Sequence, residues 1–479
     1  MNKTNNIFRV PPSLITRLYD DGSALPPYRS EFMRDRDRLM YATAFRRLAG
    51  KTQIYTVGRD DHKKNRLTHT LEVAQIARTI ALALNLDPNL AEAIALAHDF
   101  GHTPFGHAGE EKLHEIMTPN STAVKCSPFF RTSHADIAER FEREKCDINY
   151  LKSAYGFKHN LQSVRVAAVL EDSYRDNNDK NVGLNLTNFT LYGMMTHAPL
   201  GYKGAGTQPN YQNLFDDQMK LKDGDEYAWS FEAYIVEKAD EIAQWHHDLE
   251  DAMREEVLPI SAICDTITTA LGKKLTKEEN ETLAKIRDVT LMDRKCVAEL
   301  SHIVVNTLVS DLVEESSKKF DSLRKGLKRK GISSEKLFKN YGELKLELPK
   351  EDIISFSKEI GQDAFRGTIR KAIHHSRNVE RMNEKGKYII RKLFEAYFAH
   401  PQQLPDKPIL HLLVETNPKK FESVDNIKTK GVGYARVEFE ELLKNPDVHF
   451  QCVLMRRICD HIASMTDRYA IEEYNNLYG

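Results

Sequence analysis

Apolar residues recur along this chain at steps of three and four, seldom at steps of two, and that period predicts helices and few strands. Across residues 67–84, Leu67, Leu71, Ala74, Ala77, Ile80, Ala81 and Leu84 outline a buried stripe, with His69 roughly a third of a turn to its side. Asp87-Pro88 then reads as an N-cap followed by proline at the first helical position. NLAEAIALAHDF continues as an apolar, alanine-rich helix with His98 and Asp99 at its far end. Gly101, Pro104, Gly106 and Gly109 crowd the next segment, GHTPFGHAGEE, so the helix stops and a turn or irregular loop presents polar side chains. Helical patterns resume in HNLQSVRVAAVLE at 159–171 and SFEAYIVEKADEIAQWHHDLEDAM at 230–253. The fold class expected is all-α.

Residues 177–227, richer in Asn, Gly, Asp and Pro, predict short helices joined by long loops, some able to cover a pocket. No internal repeat or firm boundary divides the chain. A provisional division is a catalytic core over 1–260, a helical extension over 261–400, and a C-terminal region over 401–479 that packs back on the core.

The 479 residues are enough for one large helical unit or two smaller ones, and 29% charged against 41% hydrophobic is a soluble, packed balance. Lys and Arg total 69 against 70 Asp and Glu, so no global field draws the protein to nucleic acid or an anionic membrane. The one notable basic segment, 318–350, interleaves Lys and Arg with Phe, Leu and Tyr, and a solvated helical face is the reading favoured over an anion contact. Cys126, Cys146, Cys264, Cys296, Cys452 and Cys459 form no CxxC pair, which predicts buried thiols in a reducing compartment. The start lacks an apolar signal core, and no run approaches the roughly 18 uninterrupted apolar residues of a membrane span. A cytosolic protein with no membrane partner is expected.

An adjacent His98-Asp99 offers an imidazole and a carboxylate to one cation, but two ligands rarely hold a metal. His69 on the preceding helix can supply a third, since the short Leu86–Asn89 connection brings two antiparallel helices together. Asp240 is a fourth candidate, set among apolar Val236, Ala239 and Ala243, where a bare carboxylate is costly. Taken singly, each is more often structural than ligating. The following loop carries His102 and His107, and Glu110 stands three residues after His107, within reach on one helical turn. A carboxylate on one imidazole nitrogen fixes the tautomer and raises the basicity of the other. Otherwise Glu110 is a helix-start acid favoured by the macrodipole.

RLTHTLEVAQIA, HDFGHTPFGHAGE, FKHNLQSVRVAAVLE, GLNLTNFTLYG and VEKADEIAQWHHDLEDA resemble, in order, the motifs of the deoxyguanosine triphosphate triphosphohydrolase family. FRRLAGKTQIY and DHIASMTDRYA extend the resemblance towards both ends, with 255–400 the least recognisable part. It implies an HD-domain enzyme that hydrolyses a deoxynucleoside triphosphate, dGTP foremost, to deoxynucleoside and tripolyphosphate by attack at the α-phosphorus. It also implies His69, His98, Asp99 and Asp240 as metal ligands and His107 with Glu110 as the catalytic pair. By the same resemblance His102 and His159 approach the phosphates, Arg66 faces a phosphate, Gln53 lies near sugar or base, Asn160 is a pocket residue and Asp248 closes on the deoxyribose. One departure stands out: where the family often carries tyrosine, this chain has Gln244.

The implied cofactor is a divalent ion, with Mg, Mn and Co foremost and Fe, Ni and Zn also compatible with mixed His/Asp ligation. The resemblance further implies homo-oligomers, hexamers among them, and for some members binding of single-stranded DNA. HD ligands alone do not choose the bond that is cut. An HD phosphohydrolase acting on another nucleotide therefore stays open, as does a non-catalytic nucleotide or nucleic-acid binding regulator using the basic segment. The flanking motifs favour the first reading, and intact His107 and Glu110 argue against the last.

Overall fold

Every regular element among the described residues is a helix, and extended pairing is confined to isolated bridges at Thr52–Asn65, Arg175–Asn181 and Lys220–Tyr227. The computed structural model describes residues 6–22, 24–53, 64–118, 156–177, 181–198, 216–222, 226–289 and 294–479. Cys126 and Cys146, and residues 199–215 of the predicted loop region, lie outside these; Cys264, Cys296, Cys452 and Cys459 are buried free thiols.

Helices α1 (Arg66–Ala83) and α2 (Pro88–Ala97) form the hairpin expected from the sequence. Asn65 caps α1 by accepting from Thr68 N, and Asp87 caps α2 by accepting from Asn89 N and Leu90 N. The predicted stripe of α1 is buried at Ala74, Ala77, Ile80, Ala81 and Leu84, and departs from the structure at Leu71. His69, Val73, Ile76, Ala77 and Ile80 line the buried face, so His69 belongs to the core face, while Leu71 is 47% exposed. Leu71 shares its outer face with exposed Leu82, eleven residues or about three turns later. The covered face is wider than the predicted stripe on the His69 side, taking in Val73 and Ile76.

Helix α3 (Gly106–Ile116) leaves the glycine-rich turn, and α4 (His159–Arg165) packs beside it. The approach between turn and α4 is close enough to require glycine: a Cβ on Gly101 would sit 2.1 Å from His159 O and 2.3 Å from Ser163 N. Gly101 N instead donates to Ser163 Oγ at 2.9 Å. Helix α5 (Asn188–Thr196) covers α2 and α4, and α6 (Phe231–Arg254) crosses α1 and α2.

Three apolar clusters surround these helices. The first joins α1, α2 and α6 to α7 (Arg294–Lys330) and runs up to Val379; the third joins Ala93, Ala97 and Phe100 to α4 and α5. The second sets Phe105, Leu113 and Phe157 against α8 (Arg377–Ala399), α9 (Val448–Ser464) and α10 (Asp467–Tyr478). The clusters change over between Val379 and Ile389, so most of α8 packs with the C-terminal helices and not with an extension reaching residue 400. The end of α2 and the 98–110 turn sit where all three meet.

In the basic segment, Phe320, Leu323, Leu327, Leu337 and Phe338 face the core, while Lys318 and Arg324 point outward beside Glu314 and Asp321. Helix α7 contains a window apolar and long enough to cross a bilayer by length and composition, but its Leu300, Val304, Leu308 and Leu312 are buried in the first cluster.

Candidate functional site

His98 is the C-cap of α2, and its Nδ1 lies 2.7 Å from the Ala95 carbonyl, so Nδ1 must carry the proton. Nε2 is buried and without a hydrogen-bond partner among the described residues, 3.3 Å from Asp99 Oδ1 and 4.0 Å from Asp240 Oδ1, and in the neutral imidazole it offers a lone pair to a cation. From α1, His69 brings Nε2 to 2.9 Å from Asp240 Oδ1. Donor atoms of His69, His98 and Asp99 lie within 4.8 Å of one another. Two imidazoles and two carboxylates thus converge from α1, α2 and α6, with Asp240 the most accessible at 18% of its side chain. A bare imidazole nitrogen facing two carboxylates fits one divalent cation: neutral nitrogen and anionic oxygen donors together satisfy its charge and coordination. Burial disfavours ionised Asp99 and Asp240, yet the surrounding histidines hold both below the ordinary carboxylate range, helped at Asp99 by Arg66.

Asp99 is also the hub of a second set of contacts. Its Oδ2 accepts from Arg66 Nη1 at 2.6 Å, and its Oδ1 lies 3.1 Å from His102 Nε2. Arg66 is 1% exposed, yet its Nε and Nη2 have no hydrogen-bond partner among the described residues. A buried guanidinium with unmet donors is arranged for an anion.

One turn on, His107 Nδ1 donates to Glu110 Oε2 at 3.0 Å, and His159 Nδ1 donates to Oε1 at 2.9 Å. Lys158 Nζ and His159 N also reach Oε1, both at 3.1 Å. Glu110 is fully buried; burial opposes its charge, but His159 and His107 outweigh that and hold it well below the usual range. His107 by contrast has a side chain 57% exposed, so its other nitrogen is presented outward. The helix N-terminus that carries this pair follows Phe105 and Gly106, both in the left-handed region at φ 62° and 60°. For a phenylalanine that conformation costs about 1–3 kcal/mol, which surrounding contacts must offset.

A cavity of about 320 Å³ opens beside the pair. Of the residues singled out from sequence, Gln53, His107, Glu110, Gln244 and Asp248 line it. His102 and His159 stand behind that wall, stacked with ring centroids 3.9 Å apart. Asn160 corrects its expected role. It is fully buried, and its amide donates to Met195 O at 2.7 Å and Ala198 O at 2.9 Å, so it fastens the end of α5 and does not line the cavity. Gln244 turns its amide towards Asp240, 3.3 Å from Oδ2. Burial pushes Asp248 up to about 7, against the pull of Arg370 4.0 Å away.

Sequence reasoning missed Lys158, Arg370, His374 and Lys387, which add cationic or titratable groups to the cavity wall. It also missed His197, which repeats the His98 device: a C-cap histidine whose Nδ1 donates to the carbonyl three residues back, Met194 O, at 2.7 Å. His197 rests 5.1 Å from the His98 ring and 5.5 Å from His159; burial first, then those two rings, lower its pKa to about 3, so it stays neutral. The available signal was a histidine ending a short apolar helix, which alone carries little information.

Behind His69 lies a separate charge network. Glu72 accepts from His246 Nδ1 and from His247 Nε2, the latter at 2.7 Å, while Lys64 bridges to Glu250 at 2.8 Å. Burial works against charging His246, but Glu250 and Glu72 raise its pKa to about 9. Histidine in an unfolded chain titrates near 6.5, so this contribution is complete below about that pH and is lost as pH rises through about 9. Denaturant midpoints should show the wild-type protein losing on the order of 2 kcal/mol more than His246→Gln across that window. Parallel curves for the two proteins would contradict the assignment.

The comparisons with known proteins agree with this geometry. Residues 66–155 match the HD domain family, and residues 354–414 and 439–476 match the phosphohydrolase-associated domain. A deoxyguanosinetriphosphate triphosphohydrolase-like protein of Azoarcus sp. (strain BH72) is 31% identical over 455 residues, covering 95% of this chain and 92% of that protein. A protein of the same name from Bartonella henselae is 30% identical over 460 residues, covering 94% and 90%. One from Mesorhizobium japonicum is 30% identical over 472 residues, covering 96% and 92%.

Proposed function

The chain belongs to the deoxyguanosinetriphosphate triphosphohydrolase-like family of HD phosphohydrolases, and from that premise we propose that it hydrolyses a deoxynucleoside triphosphate, dGTP foremost, to deoxynucleoside and tripolyphosphate. The observation that carries the proposal is the convergence of His69, His98, Asp99 and Asp240 close to the His107–Glu110 pair, which lines the cavity: His102 lies 3.1 Å from Asp99, and its ring centroid is 5.3 Å from that of His107.

His69, His98, Asp99 and Asp240 would hold a divalent ion, which when bound would supply Lewis-acid polarisation of a phosphoryl oxygen and lower the pKa of water. Mg, Mn and Co suit that role, and Fe, Ni and Zn also satisfy the donor set. The chain's own groups do the rest. Arg66, with two donors unmet, and Lys158, beside Glu110, neutralise phosphate charge as it builds. The water oxygen bonds to the α-phosphorus and gives up one proton, the bond from phosphorus to O5′ breaks, and O5′ takes up one proton as it leaves as the 5′-hydroxyl, so the proton count closes. His107, its Nδ1 fixed by Glu110, offers its Nε2 for that proton transfer. Asp248, kept partly protonated near neutrality, is placed to bond a sugar hydroxyl.

Product analysis tests the reading. The protein, supplied in turn with each metal and each of the four deoxynucleoside triphosphates under aerobic and anaerobic conditions, is expected to release tripolyphosphate and deoxynucleoside. Orthophosphate as the sole phosphate product would assign a different HD reaction.

A further inference from the structure

Phe105 stands two residues before His107 in its left-handed conformation, and two contacts from the C-terminal helices hold it there. Its N–H donates to Asp467 Oδ1 at 2.9 Å. Its ring lies against Gly386 of α8, so closely that a Cβ on Gly386 would fall 2.6 Å from Phe105 Cβ. The same carboxylate reaches the neighbouring 52–53 segment, where Asp467 Oδ2 accepts from Thr52 N at 3.0 Å and from the Thr52 hydroxyl. Thr52, Gln53 and Phe105 all line the cavity.

Lys51 adds a second strut. Fully buried, its Nζ donates to Ala463 O at the end of α9, at 2.8 Å, and to the His102 carbonyl in the catalytic turn. Its own carbonyl accepts from Arg66 N at 3.2 Å, where α1 begins. The segments meet closely: a Cβ on Gly50 would lie 2.7 Å from Thr466 Cγ2. Asp467 opens α10, yet its carboxylate accepts two backbone N–H groups and a hydroxyl from other segments. Burial pushes the Asp467 carboxyl up, while the bonds from Thr52 and Phe105 favour its ionised form; an ionised acceptor makes bonds about twice as strong as a neutral one, which suits a group holding a strained residue.

We propose that Asp467 is a positioning residue for the reaction: with Lys51 it clamps Thr52–Gln53 to Phe105–Gly106 and so sets, from the C-terminal helices, where His107 and Glu110 stand. The inference rests on the reading of His107 and Glu110 as the proton-transfer pair. The C-terminal helices thereby become part of the active site without touching substrate, and a shift of α9 or α10 displaces the acid–base pair. Destabilisation alone would reduce the fraction of active protein and leave its pH profile intact.

Asp467→Asn offers one acceptor in place of two and points an amide N–H at a backbone N–H, so one segment is released. Gly386→Ala presses on the same phenylalanine from its other side and serves if the first variant fails to fold. Each is expected to lower kcat about 10- to 100-fold, the range a displacement of roughly 1 Å produces, with metal content unchanged. KM should stay within about three-fold, because substrate binding is largely retained. The pH profile of kcat should shift, and hydrogen exchange in peptides covering 101–112 should speed up. Wild-type exchange at 101–112 in both variants overturns the clamp, whether kcat is normal or falls with an unshifted pH profile. If the wild-type protein turns over no deoxynucleotide, the reaction assignment fails, while exchange at 101–112 still decides the clamp.

Discussion

Asp240→Ala is expected to remove metal-supported turnover, by roughly a thousand-fold or more in kcat/KM, about 4 kcal/mol in the transition state. Asp240 is the one candidate ligand contributed by α6, and its Oδ1 is the acceptor for His69 Nε2. Alanine therefore removes an anionic ligand and the partner that orients a second. Its partly accessible side chain leaves a small cavity among Val236, Ala239 and Ala243, so the metal-free protein should unfold close to the wild-type temperature. Binding to the native state alone raises Tm, and that metal-dependent rise should vanish in the variant. Stoichiometric metal and normal turnover in Asp240→Ala would remove the ligand assignment.

Glu110→Gln should separate chemistry from metal binding. Glu110 reaches none of the four ligands directly; its two oxygens serve His107 on one side and His159 with Lys158 on the other. Glutamine keeps one acceptor and turns a donor towards an imidazole N–H, so at least one histidine loses its orientation and charge balance. A positioned acid–base group is worth about 10²–10⁴ in rate, and a loss of that size in kcat is expected with full metal content. Because neighbouring histidines hold Glu110 far below its ordinary range, the wild-type carboxylate stays ionised from neutral pH down through the unperturbed value of about 4.3. No acid limb of the rate profile near that value should belong to it. Loss of metal together with rate would instead place Glu110 among the structural supports of the ligands.

Local sequence carried the parts of this site that depend on short-range geometry. Asp87-Pro88 capping a helix, His98 at its end and the three-residue step from His107 to Glu110 all follow from helical period and backbone chemistry. The buried stripe of α1 does so at Ala74, Ala77, Ile80, Ala81 and Leu84, but Leu71 lies on the outer face, and only the folded neighbours reveal that His69 and Val73 are covered in its place. Asn160 was misplaced for a related reason: an asparagine beside a site histidine is read as polar lining until its two amide donors are seen on backbone carbonyls. Arg370, His374 and Lys387 reach the cavity from segments more than 200 residues from the glycine-rich turn, and no local pattern marks them. Asp467 is one acid among 70, and its role exists only where α10 meets the turn.

The central claim, water attack at the α-phosphorus, is tested most directly by hydrolysing dGTP in ¹⁸O-water and locating the label. One ¹⁸O in tripolyphosphate and none in the deoxynucleoside is the predicted result. Label in orthophosphate, in pyrophosphate or in the nucleoside hydroxyl would show that another bond is cut and would contradict the account.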